Sequence, residues 1–411
     1  MKIAVVDGHS TGRALVSVLL SRGAACVHVQ TSPHMSDYFT RGFRPEDYEI
    51  LLDGTAGPAA LARELRDLHV DRVTAGTESG VTLADTLNHL MGLPGNRYET
   101  LAARRDKQVM GDTAAAAGVR VPLSGAFTDV DAAVAWYEAH CTGEAVVKPP
   151  RSAGSDNVRF CRTPQDVQAA CKAVLTADDF LGRPNEVALV QERVLGTEYY
   201  ANTVSYRGVH RVAELWRYTK RTSDRGSPVY DYEEPVPIAS PEAAPIRRFV
   251  GAVLDALGVE NGAAHTEVMV TPHGPVLIES GARLGGGTAP HVVERYSGIS
   301  QTRLLAETLM VPEALEAFDD SAVVWHGAVR NVALVNSTPG TVRSLDWTAR
   351  VESLPTLVHL AHSAVVGRRL PETTDLLTSP GYVYLAAEDP QDVRSDYERL
   401  RAMESEGLYL G

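Results

Sequence analysis

Cysteine is scarce in this chain of 411 residues: Cys26, Cys141, Cys161 and Cys171 are scattered, with no CxxC pair and no histidines at zinc spacing. Neither a disulfide framework nor a structural zinc site is indicated. No run of 18 apolar residues occurs, so no membrane-spanning helix is predicted. The apolar stretches of the first 30 residues are short and interrupted by Asp7, His9 and Arg13, and they lack a cleavage site, which argues against a signal peptide. These features predict a cytoplasmic protein. Positive charge is also in deficit: 39 Lys and Arg against 52 Asp and Glu give a net charge of −13, a field that repels nucleic acid and anionic membranes. Any phosphate bound here needs a local basic site. Two phosphate-binding fingerprints are absent as well. No GxxxxGK[ST] is present, and the first turn, Gly8-His9-Ser10-Thr11-Gly12, lacks the GxGxxG spacing of a dinucleotide site.

What is present is ordinary globular composition, and the length predicts roughly two to three domains. Short apolar runs at 2–6, 24–30, 49–52 and 71–75 alternate with helical patterns at 12–21 and 57–68, which predicts a doubly wound parallel sheet at the N-terminus. From about Leu101 the pattern changes. A helix carrying Arg104-Arg105-Asp106-Lys107 is expected to run to Ala117, followed by strands at 145–148 and 158–161. Alternating segments at 187–194, 198–206 and 209–218 then predict an antiparallel sheet, with a helix at 244–257. β-like segments at 322–334 and 382–385 suggest a compact C-terminal unit. The fold class is thus α/β and α+β, with an N-terminal unit over 1–100, a central unit over 101–320 whose small subdomain spans about 120–195, and a C-terminal β-rich unit over 321–411.

The sharpest local feature is the segment 265–279, two alternating runs joined by Pro272-His273-Gly274, which reads as a hairpin. A register centred on His273 sets Glu267 opposite Glu279 and Met269 opposite Leu277. Opposed carboxylates repel unless a cation lies between them, and hard oxygen ligands imply magnesium or manganese. The alternative is that both glutamates project into solvent. A second feature is Lys148 at the end of a buried strand, followed by a small-residue turn containing Ser152, Gly154 and Ser155, whose backbone N–H groups suit phosphate oxygens. The segments 216–220 and 224–235 are candidates for a substrate pocket or, equally, a surface crossover.

Taken in order, Lys107, Lys148, the 151–157 loop, Val190-Gln191-Glu192-Arg193-Val194, Gly196-Thr197-Glu198-Tyr199, Glu267 and Glu279-Ser-Gly-Ala-Arg283 resemble the ATP-grasp superfamily. The segments 77–85, 104–107 and 279–287 most resemble its L-amino acid ligase and dipeptide synthetase branch, which includes the bacilysin- and dapdiamide-type ligases. The resemblance implies a central ATP-grasp fold of two subdomains. It implies that Lys107 and Lys148 contact ATP phosphates while the loop with Ser152, Gly154 and Ser155 closes over them. Gln191, Glu192, Arg193 and Val194 would read adenine through the backbone, Glu198 would hold the ribose, and Met269 would pack under the base. Glu267 and Glu279 would hold Mg2+ or Mn2+. Where the family commonly has a metal-binding Asn, this chain has Gly281.

The implied reaction joins an amino acid or related small carboxylate to an amine or second amino acid through an acyl phosphate, releasing ADP and phosphate. Arg283 would stabilise the oxyanion, with Gly286 and Gly287 assisting in substrate binding, unless Arg283 is an ordinary salt-bridge partner. His265 reads as a hydrogen-bonded strand residue. Alternatives are a bicarbonate-using, carboxylase-like enzyme and a non-catalytic ATP-binding module. The partners expected are small molecules, with no nucleic acid and no membrane, and a homodimer is left open by the C-terminal strand edge.

Overall fold

The computed structural model describes residues 1–32, 42–151, 157–178, 184–222, 228–375 and 378–410. Strands β1 (Lys2–Val6), β2 (Ala25–Gln30), β3 (Ile50–Asp53) and β4 (Arg72–Ala75) form a parallel sheet in the order β3-β2-β1-β4. Both faces are covered, so β1 reads as an unbroken apolar run. Ile3 and Val5 pack with Leu15 and Leu19 of helix α1 (Thr11–Ser21), while Ala4 and Val6 face Leu61 and Leu65 of α2 (Pro58–Asp67) and Leu87 of α3 (Val81–Met91). The turn after β1 lies hard against the end of β4. A Cβ on Gly76 would meet the Asp7 carbonyl oxygen at 2.5 Å, and one on Gly12 would meet the Gly76 Cα at 2.9 Å.

The single helix expected from Leu101 is two elements. A 3-10 helix covers Tyr98–Arg104, and α4 (Lys107–Ala116) begins afresh because the Asp106 carboxylate accepts from the N–H groups of Gln108 and Val109. This cap makes Lys107 the first helical residue.

Four antiparallel strands follow, β5 (Ser124–Phe127), β6 (Ala145–Lys148), β7 (Arg159–Cys161) and β8 (Ala188–Glu192), ordered β5-β8-β6-β7. Their apolar face packs on α5 (Val130–His140) and α6 (Pro164–Leu175) through Ala133, Tyr137, Val167 and Val174.

The largest sheet is built from β9 (Thr197–Tyr206), β10 (Val209–Thr222), β11 (Pro228–Pro235), β12 (Gly262–Thr271), β13 (Gly274–Gly281), β14 (Ala328–Ala333), β16 (Leu357–His362) and β18 (Gly381–Ala387). Two short strands, β15 (Gly340–Thr341) and β17 (Arg369–Leu370), pair separately. The order of the large sheet is β13-β12-β9-β10-β11-β14-β18-β16, antiparallel throughout. Helices α7 (Ala243–Ala256), α8 (Pro290–Ser297) and α9 (Gln301–Met310) pack against it through Ile246, Val293 and Leu304 among others. Most of the segment 224–235, which permitted a surface crossover on sequence alone, is the strand β11. Its prolines stand at its two ends, where a missing N–H costs the ladder least. Through the pairs Tyr232↔Val332 and Glu233↔Asn331, β11 joins the strands beyond residue 321 to those before it in one sheet.

Arg104 fastens the parallel sheet to the rest. It is 1 % exposed, with Nε 2.7 Å from the Asp85 carboxylate on α3 and donor bonds to Thr100 Oγ1 and to the carbonyls of Leu257 and Arg97. Removing one partner strands a buried charge, at a cost of about 3–5 kcal/mol. Arg104→Met is therefore expected to lower the urea midpoint by a corresponding amount, and an unchanged midpoint would show the pair to be unimportant.

Candidate active site

The hairpin of β12 and β13 turns at Pro272-His273, and Glu267 pairs with Glu279. The expected partnership of Met269 with Leu277 is corrected: Met269 pairs with Val276 and Val268 with Leu277, because a bulge at Ile278 shifts the register beside Glu279. The two-residue turn dictates pairing at the tip, and the bulge absorbs the difference. The two glutamates do not project into open solvent. Their side chains are 16 % and 27 % exposed and both line a cleft of about 1250 Å³.

Two lysines reach the same cleft from separate elements. Lys107, oriented by the Asp106 cap, places Nζ 2.9 Å from Glu279 Oε1. Lys148 ends β6 and is buried. Burial, and next the neighbouring Lys107 ammonium, pull its pKa down to about 8 against the opposing pull of Glu279, Glu267 and Glu198. Burial also disfavours charge on Glu267. It is outweighed by His265, Lys220 and the Tyr218 hydroxyl, which donates to Glu267 Oε1 at 3.2 Å, so the carboxyl lies below its usual range.

Behind Glu267 runs a buried polar chain. Glu214 accepts from the Gln301 N–H, Asn202 Nδ2 and Trp216 Nε1, and Asn202 Oδ1 accepts from His265 Nδ1 at 2.8 Å. Because the Asn202 amide nitrogen is committed to Glu214, its oxygen must face the histidine, so Nδ1 carries a proton. His265 Nε2 then lies 3.5 Å from Glu267 Oε1. His265 is thus a hydrogen-bonded residue whose second ring nitrogen, when it too is protonated, holds the Glu267 carboxylate.

Gln191 and Glu192 end β8 and Arg193 and Val194 continue from it. The Arg193 side chain pairs with Glu144 and stacks 4.1 Å above Phe160, and Glu192 accepts from the Leu123 N–H. Glu198 is the register partner of Met269 and is paired with Lys220 at 2.7 Å. Gly286 and Gly287 follow β13 at the cleft wall, and every one of these candidates that lies among the described residues borders the cleft. Ser152, Gly154 and Ser155 lie outside the described residues.

Arg283 is an ion-pair partner: its Nε is 2.8 Å from Glu78 Oε2, and Arg105 pairs with the other oxygen of Glu78. Burial disfavours the Glu78 charge, but Arg105 and Arg283 hold its carboxyl down to about 2. Glu78 had no role on sequence alone, although it follows β4 at the carboxyl edge of a parallel sheet, where ligands of such sheets gather. It also accounts for Gly281, since a Cβ there would lie 2.8 Å from Glu78 Oε2. Lys220, Glu233 and Asn331 also border the cleft. Lys220 and Glu233 lie in the segments 216–220 and 224–235 that the sequence offered for a substrate pocket, whereas Asn331 had no signal beyond lying in a strand-like segment.

Among the described residues no group of three His, Cys, Asp or Glu is arranged to hold a metal ion unaided. Glu267 and Glu279 alone are a two-carboxylate set, the kind that magnesium completes with substrate phosphates and water. The donors present therefore fit a magnesium–nucleotide complex.

A family model described as the ATP-grasp domain matches residues 142–291. The chain is 30% identical, over an alignment of 419 residues covering 100% of it and 97% of the relative, to dapdiamide A synthase of Enterobacter agglomerans. The chain belongs to the ATP-grasp superfamily of ligases. Within it, the chain is a member of the amino acid ligase branch that holds the dapdiamide-type enzymes. A crystal structure of an L-amino acid ligase from Bacillus licheniformis shares the fold with a TM-score of 0.76 at 16% identity, covering 98% of this chain and 97% of that one. The N5-carboxyaminoimidazole ribonucleotide synthetase of Thermus thermophilus shares it at 0.67 and 17%, covering 98% of each. Among the described residues no helix is long and apolar enough to cross a membrane.

The lowered pKa of Lys148 has a measurable sign. The ammonium is present below pH about 8 and lost above it. The kcat/KM for ATP is therefore expected to fall as pH rises through that value, and Lys148→Arg, which stays charged, is expected to flatten the profile. A wild-type profile flat to pH 9.5 would show that the charge on Lys148 plays no part.

Proposed function

We propose that this chain is an ATP-dependent carboxylate–amine ligase that activates an amino acid or related small carboxylate as an acyl phosphate. An amine, in the simplest case that of a second amino acid, then displaces phosphate to give an amide, with ADP and phosphate released. One observation carries the reading: opposed Glu267 and Glu279, two buried lysines and the clamped Arg283 converge on one cleft. The name of the full-length relative from Enterobacter agglomerans favours amide formation over carboxylation.

Forming an amide from a carboxylate in water is uphill, so the carboxylate oxygen must first become a leaving group. The substrate carboxylate and the γ-phosphate are both anions, and bringing them together is an electrostatic task. Lys107 and Lys148 supply two positive charges from rigid positions, at a helix start and a strand end. Glu267 and Glu279 would hold magnesium, which supplies charge neutralisation at the phosphates. Gln191 to Val194 suit adenine recognition through the backbone of an extended segment, Glu198 suits a ribose hydroxyl, and Met269 gives an apolar floor. The turn containing Ser152, Gly154 and Ser155 is assigned to the phosphates on its composition. Arg283, oriented by Glu78, is assigned to the negative oxygen that develops when the amine attacks, with the Gly286 and Gly287 backbone beside it.

The test is release of ADP and inorganic phosphate from Mg-ATP across pairs of amino acids and small carboxylates, with mass spectrometry of each positive mixture. Amine-dependent ADP release with a condensed product is expected. AMP release, or turnover that requires bicarbonate, would overturn the assignment. Glu279→Gln is expected to abolish ligation in a protein that still unfolds cooperatively, and near-normal turnover would remove Glu279 from metal binding. Arg283→Ala is expected to lower kcat by about 10²-fold or more, the usual scale for an oxyanion donor, with ATP still bound.

A further inference from the structure

Asn331, on β14, is 5 % exposed and borders the cleft. Its amide nitrogen donates to Glu233 Oε2 at 3.1 Å and to the Gly287 carbonyl at 3.2 Å. Both N–H donors are thereby used, and a flipped amide would aim its oxygen at two acceptors, so the hydrogen-bond network fixes the orientation. The Oδ1 atom is then left buried with no donor. An unsatisfied buried acceptor costs stability, and natural structures keep one where something else completes it. Beside it stands Glu233, whose Oε2 also accepts from the Tyr200 hydroxyl at 2.7 Å. The pair offers the cleft acceptors only, a carboxylate and an amide oxygen. Such a site repels carboxylates and phosphates and suits a group rich in N–H donors.

We infer that Asn331 and Glu233 dock the amino group of the nucleophilic substrate, the amine that becomes the amide nitrogen. The inference rests on the ligase reading above. Asn331 is bonded to Gly287, in the glycine turn four residues beyond Arg283, so an amine held on Oδ1 sits beside the backbone assigned to the acyl centre. The carboxylate-bearing substrate keeps its α-ammonium protons throughout, whereas the ammonium of the nucleophile must shed two, one to free its lone pair and one after attack. The first proton passes to Glu233, the freed nitrogen lone pair forms the C–N bond, the bond from the acyl carbon to the phosphate oxygen breaks with its electron pair leaving on phosphate, and the second proton leaves with that phosphate. Burial first, then the field of Glu267, raise the Glu233 pKa to about 7 against the bonds from Tyr200 and Asn331 and the charge of Lys220. Tyr384 of β18 faces the same carboxylate.

The test compares the wild-type chain with Asn331→Ala and Glu233→Gln, using the carboxylate substrate found in the phosphate-release screen. Two nucleophiles are titrated: the partner amino acid, and hydroxylamine, which is neutral at pH 7.5 and yields a hydroxamate. Asn331→Ala is expected to raise the KM for the amino acid at least about tenfold, the scale of a lost hydrogen bond to a charged group, and Glu233→Gln to lower kcat with it. The loss with hydroxylamine is expected to be at least tenfold smaller. Should Asn331→Ala fail to fold, the near-isosteric Glu233→Gln carries the same comparison. Equal losses with both nucleophiles, or a rise confined to the KM of the carboxylate substrate, would overturn the assignment and place another group on the dock. No hydroxamate from the wild type would mean that the ligase reading itself had failed.

Discussion

Two carboxylates directly opposed on neighbouring strands repel, and the surroundings of Glu267 and Glu279 are arranged around that repulsion. Each carboxylate is restrained by a different part of the chain. Lys107 reaches Glu279 only because Asp106 stops one helix and starts another, and Glu267 is held by Tyr218 and faced by a histidine whose ring is oriented by Asn202 and Glu214. A cap, a bulge and a buried polar chain, three unrelated local devices, serve one electrostatic purpose. The cost of holding two negative groups together is offset by positive groups that are themselves partly desolvated. That is why the Lys148 ammonium is weakened by burial although three glutamates surround it. A site balanced in this way, with cations deprived of water, favours a polyanion that brings several negative oxygens at once.

Among the residues that the parallel-sheet unit brings to the cleft, Glu78 ties it to the rest of the site. Glu78 leaves the end of β4 and is gripped by Arg105 from one side and Arg283 from the other. The first of these arginines belongs to the connection into α4 and the second to the segment after β13, so three stretches of chain are pinned at one partly buried carboxylate. The glycine at 281 follows from this arrangement. The space its side chain would need is taken by the Glu78 carboxylate, and substitution would push apart the contact that orients Arg283.

Much of this was legible in the sequence where the determining contacts are local. The hairpin at 265–279 announced itself by alternation and a Pro-His-Gly turn, and the opposed glutamates followed from it. Lys148 was marked by its place between a buried strand and a small-residue turn. What escaped was set by contacts far apart in the chain or by competition between neighbours. The break at Arg105 is a cap overriding a continuous helical pattern. The bulge at Ile278 is a conflict between turn length and register. Glu78 meets Arg283 across 205 residues, and Asn331 meets Glu233 across 98, separations over which no periodicity carries information. β11 was ambiguous because its ends are prolines and its interior mixes tyrosines with acidic residues, a pattern shared by exposed loops.

The order of strands in the large sheet gives these residues a common logic. From one edge inward, β13 carries Glu279, β12 Glu267, β9 Glu198, β10 Lys220, β11 Glu233 and β14 Asn331, and every one of them borders the cleft. Charged groups crowd the edge where the hairpin lies. Beyond β14 the lining turns to neutral and aromatic groups: Tyr382 on β18, and His359 on β16, whose ring stands 4.9 Å from that of His291. A reaction that consumes a polyanion and an amine needs the two kept apart until the carboxylate is activated, because an ammonium drawn into the phosphate site is held there by charge and cannot attack. An antiparallel sheet answers this need without moving parts. Successive strands are separated by about 4.8 Å, so assigning one functional side chain to each strand converts order in the sheet into distance along the cleft. The pairing of β11 with β14 is therefore more than a joint between two parts of the chain. It carries the gradient across, from the carboxylates that gather cations to the acceptors that face the opposite end.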